Sequence, residues 1–413
     1  MNVSTGFKRA AKSTAVMGAA AALVLGGLTA CSSDDDTASN STGKTTELPS
    51  NPATGEAIKI GFIAPEGGQI SLPMVREGGE AAAQYINENG GGIGGHKIEL
   101  VVCKQHEEPA SATKCANEMV EKKVSAVVTP LGAQGAVMLP IISGAGIPYV
   151  AQAPVSQAEM ISPDAFMISG GIISVLGGQA ATAAKDGLKK VTVLIGDTGD
   201  AAASVKALGE PMFKQAGVDL KVVTIPAATA DPTPQIQAGL SDNPDAVTIL
   251  GDTRQCIQGI KALETAAPDV QKYLIASCLD KPVIDAVGED AVLGAKAFTT
   301  VNLSSDDDSV TQYRSVMAKY APDTDPQGLG YLGYQVVMAL AQVGGSLPGD
   351  GVGPEQMKAA LRSAKDVPVP AAPGLTFTCD GKAVPQLPSL CSRSILVSNV
   401  GENLKYTDTV TVN

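Results

Sequence analysis

The chain has 413 residues, a formal net charge of −12, seven cysteines, two histidines and no tryptophan. Its acidic balance argues against nucleic acid and anionic lipid headgroups as partners, because a negative surface gains no attraction from phosphate. After the first thirty residues, no apolar run approaches the roughly 20 residues that span a bilayer. The part of the chain beyond residue 57 is too long to fold around one ordinary hydrophobic core, and its length is suited to two lobes.

The first thirty residues have the pattern of a secretory signal. Three basic residues precede an apolar run at residues 15–27, and small residues lead to Cys31. This stretch resembles the bacterial lipobox, in which the signal is cut before a cysteine whose thiol is lipidated. We expect residues 1–30 to be removed and Cys31 to be lipidated, which would anchor the chain to the outer face of the cytoplasmic membrane. A cleaved signal followed by an unrelated cysteine is the alternative.

Residues 31–57 contain almost no apolar side chains and include the acidic run 34–36. Such a composition cannot bury enough apolar surface to fold. The sequence therefore predicts a disordered tether between the lipidated cysteine and a folded body.

From residue 58 the pattern alternates between β-rich runs and amphipathic helical segments. We predict strands at 58–63, 98–102, 124–129, 147–151, 166–169, 191–195, 220–225, 246–250, 273–276, 297–301, 375–377 and 394–397, and helices at 77–89, 112–122, around 205–212, 308–320 and 331–343. Several of the strands are continuously apolar, as parallel strands buried on both faces are. Two successive series of this kind predict an α/β fold with two doubly wound parallel-sheet lobes.

Six cysteines remain after Cys31, an even number for an oxidising compartment. They are Cys103, Cys115, Cys256, Cys278, Cys379 and Cys391. Six thiols allow fifteen connectivities, but their clustering favours pairs of nearest neighbours. A metal site is the alternative. The sequence argues against it, because it contains no C-x-x-C motif and only two histidines. We therefore predict three disulfides and no metal.

A resemblance to a known family appears at residues 86–100, where Ile-Asn at the end of a helix is followed by Gly90-Gly91-Gly92-Ile93-Gly94-Gly95 and a strand. This pattern resembles that of periplasmic-binding proteins of the branched-chain amino acid (Leu/Ile/Val) type, and the likeness continues to about residue 400. The resemblance implies a type I periplasmic-binding-protein fold, with two lobes joined by three hinge crossovers. It also implies delivery of a small solute to an ABC permease in the cytoplasmic membrane.

The lobes implied by this fold divide the chain into four segments. We expect residues 58–172 and 301–375 in lobe 1, and residues 173–300 and 376–413 in lobe 2. The same glycines match G-x-G-x-x-G, a dinucleotide fingerprint that requires a strand before and a helix after. Here the helix comes first, so we predict a helix end and a tight turn.

In this fold, ligands bind at the carboxyl ends of the parallel strands, between the lobes. The loops that follow the predicted strands contain the candidate ligand-binding residues Ala133, Gln134, Gln152, Ser156, Asp200, Asp252 and Asp280. For an amino acid, the backbone N–H groups of Ala133 and Gln134 and the Ser156 hydroxyl would take the carboxylate. Asp280 or Asp252 would take the ammonium. A helix N-cap is the alternative role for each of these acids.

Family members usually have a hydroxyl-rich loop where this chain has residues 132–135, so an amide, urea or an aromatic acid remains an alternative solute. No G-x-S-x-G, H-E-x-x-H or Walker loop is present, and we expect no catalysis and no cofactor. The chain is thus predicted to be a monomeric extracytoplasmic solute-binding lipoprotein. A ligand-sensing or purely structural lipoprotein on the same fold is the alternative.

Overall fold

The computed structural model describes residues 43–68, 70–197, 201–226, 229, 231–349 and 351–413. The predicted signal sequence, the lipidated Cys31 and the first part of the tether lie outside the described residues.

The described residues form an α/β fold whose elements follow one another in the predicted alternation. The strands are β1 (Gly55–Pro65), β2 (His96–Gln105), β3 (Ala126–Thr129), β4 (Tyr149–Ala151), β5 (Ala165–Met167), β6 (Lys190–Asp197), β7 (Asp219–Pro226), β8 (Ala246–Leu250), β9 (Gln271–Ile275), β10 (Lys296–Thr299), β11 (Val367–Pro368), β12 (Thr376–Phe377), β13 (Ile395–Val400) and β14 (Tyr406–Val412). The helices are α1 (Pro73–Glu88), α2 (Pro109–Glu121), α3 (Gly135–Gly144), α4 (Gln157–Ile161), α5 (Ile172–Lys185), α6 (Ala201–Gln215), α7 (Thr233–Leu240), α8 (Thr253–Ala266), α9 (Lys281–Val287), α10 (Asp308–Tyr320), α11 (Gly330–Gly344) and α12 (Pro354–Ser363).

The first sheet forms the centre of lobe 1. Its five parallel strands have the order β2-β1-β3-β4-β5. Adjacent residues of β1 point to opposite faces, so Phe62 packs with α1 and α11 whereas Ile63 packs with α2 and α3. Both faces of the sheet are therefore covered by helices, which explains why its strands are apolar throughout.

The second sheet forms the centre of lobe 2. It has seven strands in the order β14-β13-β10-β9-β8-β6-β7. The strands from β10 to β7 are parallel, whereas β13 and β14 are antiparallel additions at one edge. Helices α5 and α6 cover one face and α7 and α8 the other. The predicted doubly wound architecture is confirmed, and β14 is a strand that the sequence pattern did not reveal.

The chain passes between the two sheets three times. The first two passages follow β5 and β10. The third was expected near residue 375, but residues 376–391 still contact lobe 1. Met167 of β5 bonds through its backbone to Ser389 and Cys391, and Phe377 lies in the core of lobe 1. The third passage therefore comes after Cys391 and leads directly into β13.

Residues 44–53 lie along lobe 1 and do not form the last part of a free tether. We call them the N-terminal strap. The backbone carbonyl of Lys44 accepts a hydrogen bond from the Nε–H of Arg314, a residue that is only 1% exposed, at 2.9 Å. The amide of Thr46 donates to the Ser315 hydroxyl at 2.7 Å, and the amide of Ala53 donates to the carbonyl of Asn87 at 2.9 Å. The polar composition of the strap concealed these contacts, because most of its bonds use backbone groups.

The glycine-rich segment connects α1 to β2 as a turn, as predicted. Gly91, Gly92, Gly94 and Gly95 all have positive φ angles, a conformation that costs glycine little. Helix precedes strand, the reverse of the order that a dinucleotide site needs. The segment therefore sets the direction of β2 and has a structural role.

Glycines also allow α1 and α11 to cross at backbone contact. A Cβ atom at Gly78 would overlap the carbonyl oxygen of Gly330, and one at Gly333 would overlap that of Val75. Small residues at such a crossing let two helix backbones approach more closely than larger side chains permit. Although α11 is apolar and mostly buried, no helix in the described part of the chain is long and apolar enough to cross a membrane.

Three disulfides join the cysteines in the predicted nearest-neighbour pairs. Cys103 of β2 is bonded to Cys115 of α2, and Cys256 of α8 is bonded to Cys278 just after β9. The third disulfide joins Cys379 and Cys391. Each closes a short loop, since the paired residues are 12, 22 and 12 positions apart.

Candidate functional site

The carboxyl ends of the parallel strands of both sheets adjoin the passages between the lobes. Strands β5 and β10 each run parallel to their neighbours and end where the chain leaves the lobe. The loops after β1, β2, β3 and β4 in lobe 1 therefore lie on the same side as those after β8 and β9 in lobe 2. This inter-lobe cleft is the candidate site.

The Ala133 amide, which we predicted to bind a ligand carboxylate, is bonded to a carboxylate of the protein itself. Glu107, in the loop after β2, accepts from the Ala133 N–H at 3.0 Å and 3.3 Å through its two oxygens. The Gln134 side-chain amide donates to the backbone carbonyl of Glu107 at 3.3 Å. Glu107 has a φ of 58°, which turns the loop toward α3. Two neighbouring loops are thus joined at the start of α3.

Ser156 likewise interacts with an internal carboxylate. It forms a capping box with Glu159 at the start of α4, in which the Ser156 hydroxyl donates to Glu159 at 2.9 Å and accepts from the Glu159 amide. Glu159 is buried and also accepts from the amide of Val155 at 3.0 Å and from the hydroxyl of Tyr149 at 2.8 Å. Burial, and then the Glu159 charge, raise the pKa of Tyr149 well above its ordinary value.

Gln152 lies in a buried amide network at the second passage between the lobes. Its side-chain nitrogen donates to the carbonyl oxygen of the Gln335 side chain at 2.9 Å and to the Thr300 hydroxyl at 3.2 Å. Gln335, on α11, donates to the backbone carbonyls of Thr300 and Pro370, both at 2.8 Å. This network ties β4 and α11 of lobe 1 to the chain that comes from β10, so Gln152 belongs to the hinge.

The three candidate acids have different positions. Asp252 has the alternative role that we considered, because its carboxylate accepts from the Gln255 amide at 2.9 Å and caps α8. Asp200 lies outside the described residues. Asp280 precedes α9 without forming a side-chain cap, and no hydrogen bond or ion pair of its carboxylate is seen among the described residues. Asp280 thus presents a partly buried carboxylate that the described contacts leave unpaired.

Asp280 interacts electrostatically with groups from both lobes. Burial, and then the charge of Asp325 in the loop before α11, raise the pKa of Asp280 to about 6. The charge of Asp280 in turn contributes, after burial, to the raised pKa of the phenols Tyr331 and Tyr406. Tyr331 begins α11 in lobe 1 and Tyr406 begins β14 in lobe 2. The adjacent Lys281 is paired with Asp285 at 2.8 Å.

The two tyrosines were not among the residues predicted from the sequence. Tyr331 is 5% exposed. Both tyrosines are far from Asp280 in sequence, and only the fold brings them together. The one feature of the sequence that could have drawn attention to them is the small number of aromatic residues, since the chain has only eight tyrosines and no tryptophan.

Apolar side chains are exposed on three of the loops at the edge of lobe 1. Ile70, Leu131 and Val155 follow β1, β3 and β4, and they are 52%, 36% and 53% exposed. These loops follow the carboxyl ends of their strands, where ligands of such folds bind, so the three side chains are candidates for contact with an apolar part of a solute.

No group of three or more metal-ligating side chains occurs among the residues that the structure describes. The acidic run that starts α10 has structural partners. Asp307 caps the helix by accepting from the Ser309 amide at 2.9 Å, and Asp306 lies 3.5 Å from both Arg314 and Lys44. These carboxylates thus support the start of α10 and the N-terminal strap.

We expect Asp280→Asn to stabilise the unliganded protein at neutral pH. The pKa of about 6 in the folded protein lies above the ordinary aspartate pKa of 3.8, so the cost of the buried charge appears as the pH rises through this window and is complete above it. A pKa difference of about two between the folded and unfolded states corresponds to about 2.7 kcal/mol of lost stability. Solvent screening of this partly buried group reduces that loss to about 1–2 kcal/mol. Urea unfolding at pH 7.5 and 3.5 would measure the difference in unfolding free energy between the variant and the wild type. This difference should vanish at the lower pH.

Comparison with known proteins agrees with this architecture. The family model described as "Periplasmic binding protein" matches residues 57–388. No curated protein sequence matches the chain at a significant level. Solved structures do match: a leucine-binding protein from Thermotoga maritima has a TM-score of 0.68 at 20% identity, covering 86% of this chain and 98% of its own.

Two further solved structures differ from the first in the ligand that they are described with. A solute-binding protein of an ABC transporter from R. palustris, in complex with 4-hydroxybenzoate, has a TM-score of 0.69 at 19% identity and covers 86% of this chain and 97% of its own. A fatty acid ABC transporter substrate-binding protein from Thermomonospora curvata has a TM-score of 0.69 at 15% identity and covers 89% and 94%. At these identities the similarity establishes the fold alone. With the family match over most of its length, the chain belongs to the periplasmic binding protein family and has the type I fold.

Proposed function

We propose that the protein is the extracytoplasmic solute-binding component of an ABC importer. A small solute enters the cleft between the lobes, hinge rotation closes the lobes around it, and a permease in the cytoplasmic membrane accepts the closed form. The family match and the similar folds of ABC transporter binding proteins support this proposal. A solute can favour closure only through contacts that it makes better in the closed form than in the open form.

The observation that carries the proposal is Asp280. A carboxylate that is partly buried without an ion pair costs free energy, and here it faces groups from both lobes. A solute with a positive charge or a strong hydrogen-bond donor would offset that cost. Binding at Asp280 would thereby couple solute recognition to closure, because the surrounding Asp325 and Tyr331 belong to the opposite lobe.

The resemblance found in the sequence favours an amino acid of the branched-chain type as the solute. Its ammonium would lie against Asp280 and its side chain against the exposed apolar residues of lobe 1. Ligands of this fold are not restricted to amino acids, since the similar proteins include one in complex with 4-hydroxybenzoate and one described as a fatty acid binder. An amide, urea or an aromatic acid is accordingly the second candidate.

We further propose that Cys31 carries the lipid anchor, that the protein acts as a monomer, and that the membrane contributes only through this anchor. Two or more acyl chains give stable anchoring at about 0.8 kcal/mol for each buried CH₂ group. A ligand-sensing or structural lipoprotein on the same fold is the alternative. Deletion of the gene separates the two, since loss of uptake of one solute is expected only for the importer.

Native mass spectrometry of the purified protein, followed by thermal shift measurements with amino acids, amides and hydroxybenzoates, tests the proposal. A solute at 100 times its Kd should stabilise the protein by about 2.7 kcal/mol. Failure of every class of solute to bind would contradict the importer assignment and favour the structural alternative.

A further inference from the structure

The N-terminal strap binds to lobe 1 along its whole length. In addition to the bonds described above, Leu48 packs against the core of lobe 1, and the carbonyl of Asn51 accepts from the Gly91 amide at 2.7 Å. Near its end, Ala53 is only 3% exposed. Among the described residues, the hydrogen bonds of the strap all have partners in lobe 1. The strap is therefore part of lobe 1, although its sequence is polar.

One buried guanidinium joins the start of the strap to the chain that leaves the second passage between the lobes. The Nε–H of Arg314 donates to the Lys44 carbonyl at 2.9 Å, and its Nη1 donates to the carbonyls of Leu303 at 3.0 Å and Ser305 at 2.9 Å. A buried cation is costly unless its N–H groups have acceptors. The strap supplies one of these acceptors, and residues 303–305 supply two.

The same short segment, residues 302–305, also contacts lobe 2, and we call it the hinge segment. The Ser304 hydroxyl accepts from the Tyr406 amide at 2.9 Å, and the Asn302 side-chain amide donates to the Thr409 hydroxyl at 3.1 Å. Both of these partners lie in β14. The hinge segment thus lies between α10 of lobe 1 and β14 of lobe 2, and the strap begins beside it.

The position of the strap determines how much chain separates Cys31 from the folded body. Gly43 follows Cys31 by twelve positions, and β1 begins twelve positions after Gly43. A chain of twelve residues spans at most about 40 Å, so binding of the strap halves the greatest distance that the tether can reach.

We propose that the strap attaches the membrane tether to lobe 1 beside the hinge segment, so that the tether holds lobe 1 and the hinge segment while lobe 2 remains free to move. This inference rests on the proposed lipid anchor at Cys31. It adds to that anchor a fixed point of attachment on the body.

Trypsin tests whether the strap is bound. Lys44 is the only lysine or arginine in residues 31–58, and its carbonyl, which would be attacked, is the one that Arg314 binds. Cleavage after Lys44 therefore requires the strap to leave lobe 1, and its rate reports how often this happens. In detergent solution, we expect the purified full protein to be cleaved there at least about tenfold more slowly than a synthetic peptide of residues 38–50.

Two variants should weaken the attachment, each compared with the free peptide of its own sequence. Ser315→Ala removes the acceptor of the Thr46 amide and should speed cleavage by about fivefold. Gly43→Ala places a Cβ 2.6 Å from Cζ of Arg314, an overlap that should speed cleavage by at least about tenfold. The matched control is Ser363→Ala, which removes a hydroxyl bond to a carbonyl of its own helix at 2.9 Å and should leave the rate unchanged.

Hydrogen exchange before and after cleavage tests the attachment to the hinge segment. Removal of the chain up to Lys44 takes an acceptor from Arg314, so residues 303–305 should exchange faster while strands β6 to β9 of lobe 2 stay unchanged. Wild-type cleavage as fast as that of the peptide, or unchanged exchange at residues 303–305, would overturn the inference.

The released N-terminal fragment tests the anchor separately. Its mass shows whether Cys31 carries a lipid, and a fragment without lipid would contradict the anchor on which the inference rests. Neither the cleavage rate nor the hydrogen exchange requires a solute, so failure of the importer assignment remains distinguishable from failure of the strap attachment.

Discussion

Gly333→Ala is expected to destabilise the protein by about 3 kcal/mol or more. The new Cβ would overlap the carbonyl oxygen of Val75 on α1, and neither backbone can yield without separating the two helices. Inserting one carbon into a well-packed core typically costs about 1–3 kcal/mol, and here the obstacle is backbone rather than a movable side chain. Because α11 also carries Tyr331 and Gln335, a shift of this helix should weaken solute binding too.

The matched control is Gly177→Ala, in the interior of α5. Its new Cβ would meet only the Met212 sulfur at 3.9 Å, an ordinary contact, and alanine is favoured over glycine in a helix by about 1 kcal/mol. Denaturation by guanidinium chloride should show opposite shifts of the midpoint for the two variants. A Gly333→Ala protein as stable as the wild type would mean that the helices do not cross at backbone contact.

Gln335→Leu is expected to cost about 3 kcal/mol. Gln335 is fully buried, and its amide nitrogen is bonded to the carbonyls of Thr300 and Pro370. Leucine of similar size would leave both carbonyls without this partner, at about 1–3 kcal/mol for each unsatisfied buried group. Because Thr300 lies in a passage between the lobes, the substitution should also change the equilibrium between open and closed forms, which small-angle scattering can follow.

Gln179→Leu is the control for this second substitution. Gln179 is equally buried, but its carbonyl oxygen has no partner in the described structure and its amide bonds only to Thr248. The Thr248 hydroxyl still donates to the Tyr273 carbonyl after the change, so a cost below about 1 kcal/mol is expected. Equal destabilisation by the two substitutions would refute a special role of the Gln335 network.

The sequence predicted the features of the fold that depend on local pattern. Apolar runs marked most strands of both sheets, and the spacing of the cysteines favoured the disulfide pairs that the structure contains. Strand β14 was missed because its burial is low throughout, and the N-terminal strap was missed because it binds through backbone groups. Both features depend on hydrogen-bonding partners in distant parts of the chain, which a local sequence pattern does not contain.

The loops of the candidate site were predicted correctly as loops, but the partners of their residues were not. Asp252 and Ser156 each bond to a residue three positions later, and the alternative role as helix caps anticipated the first of these contacts. The bond between Ala133 and Glu107 joins residues 26 positions apart, and that between Gln152 and Gln335 joins residues 183 apart. No periodicity or spacing signals such tertiary contacts, which decide whether a polar group is available to a solute.

The three disulfides all join elements within one lobe. Cys103–Cys115 and Cys379–Cys391 lie in lobe 1, and Cys256–Cys278 lies in lobe 2. Oxidation can therefore slow unfolding and protect each lobe from proteases outside the cell without crosslinking one lobe to the other. The disulfides thus stabilise each lobe without restricting the movement of one lobe relative to the other. A change in redox conditions should therefore alter the lifetime of the protein more than its cycle of solute capture and release.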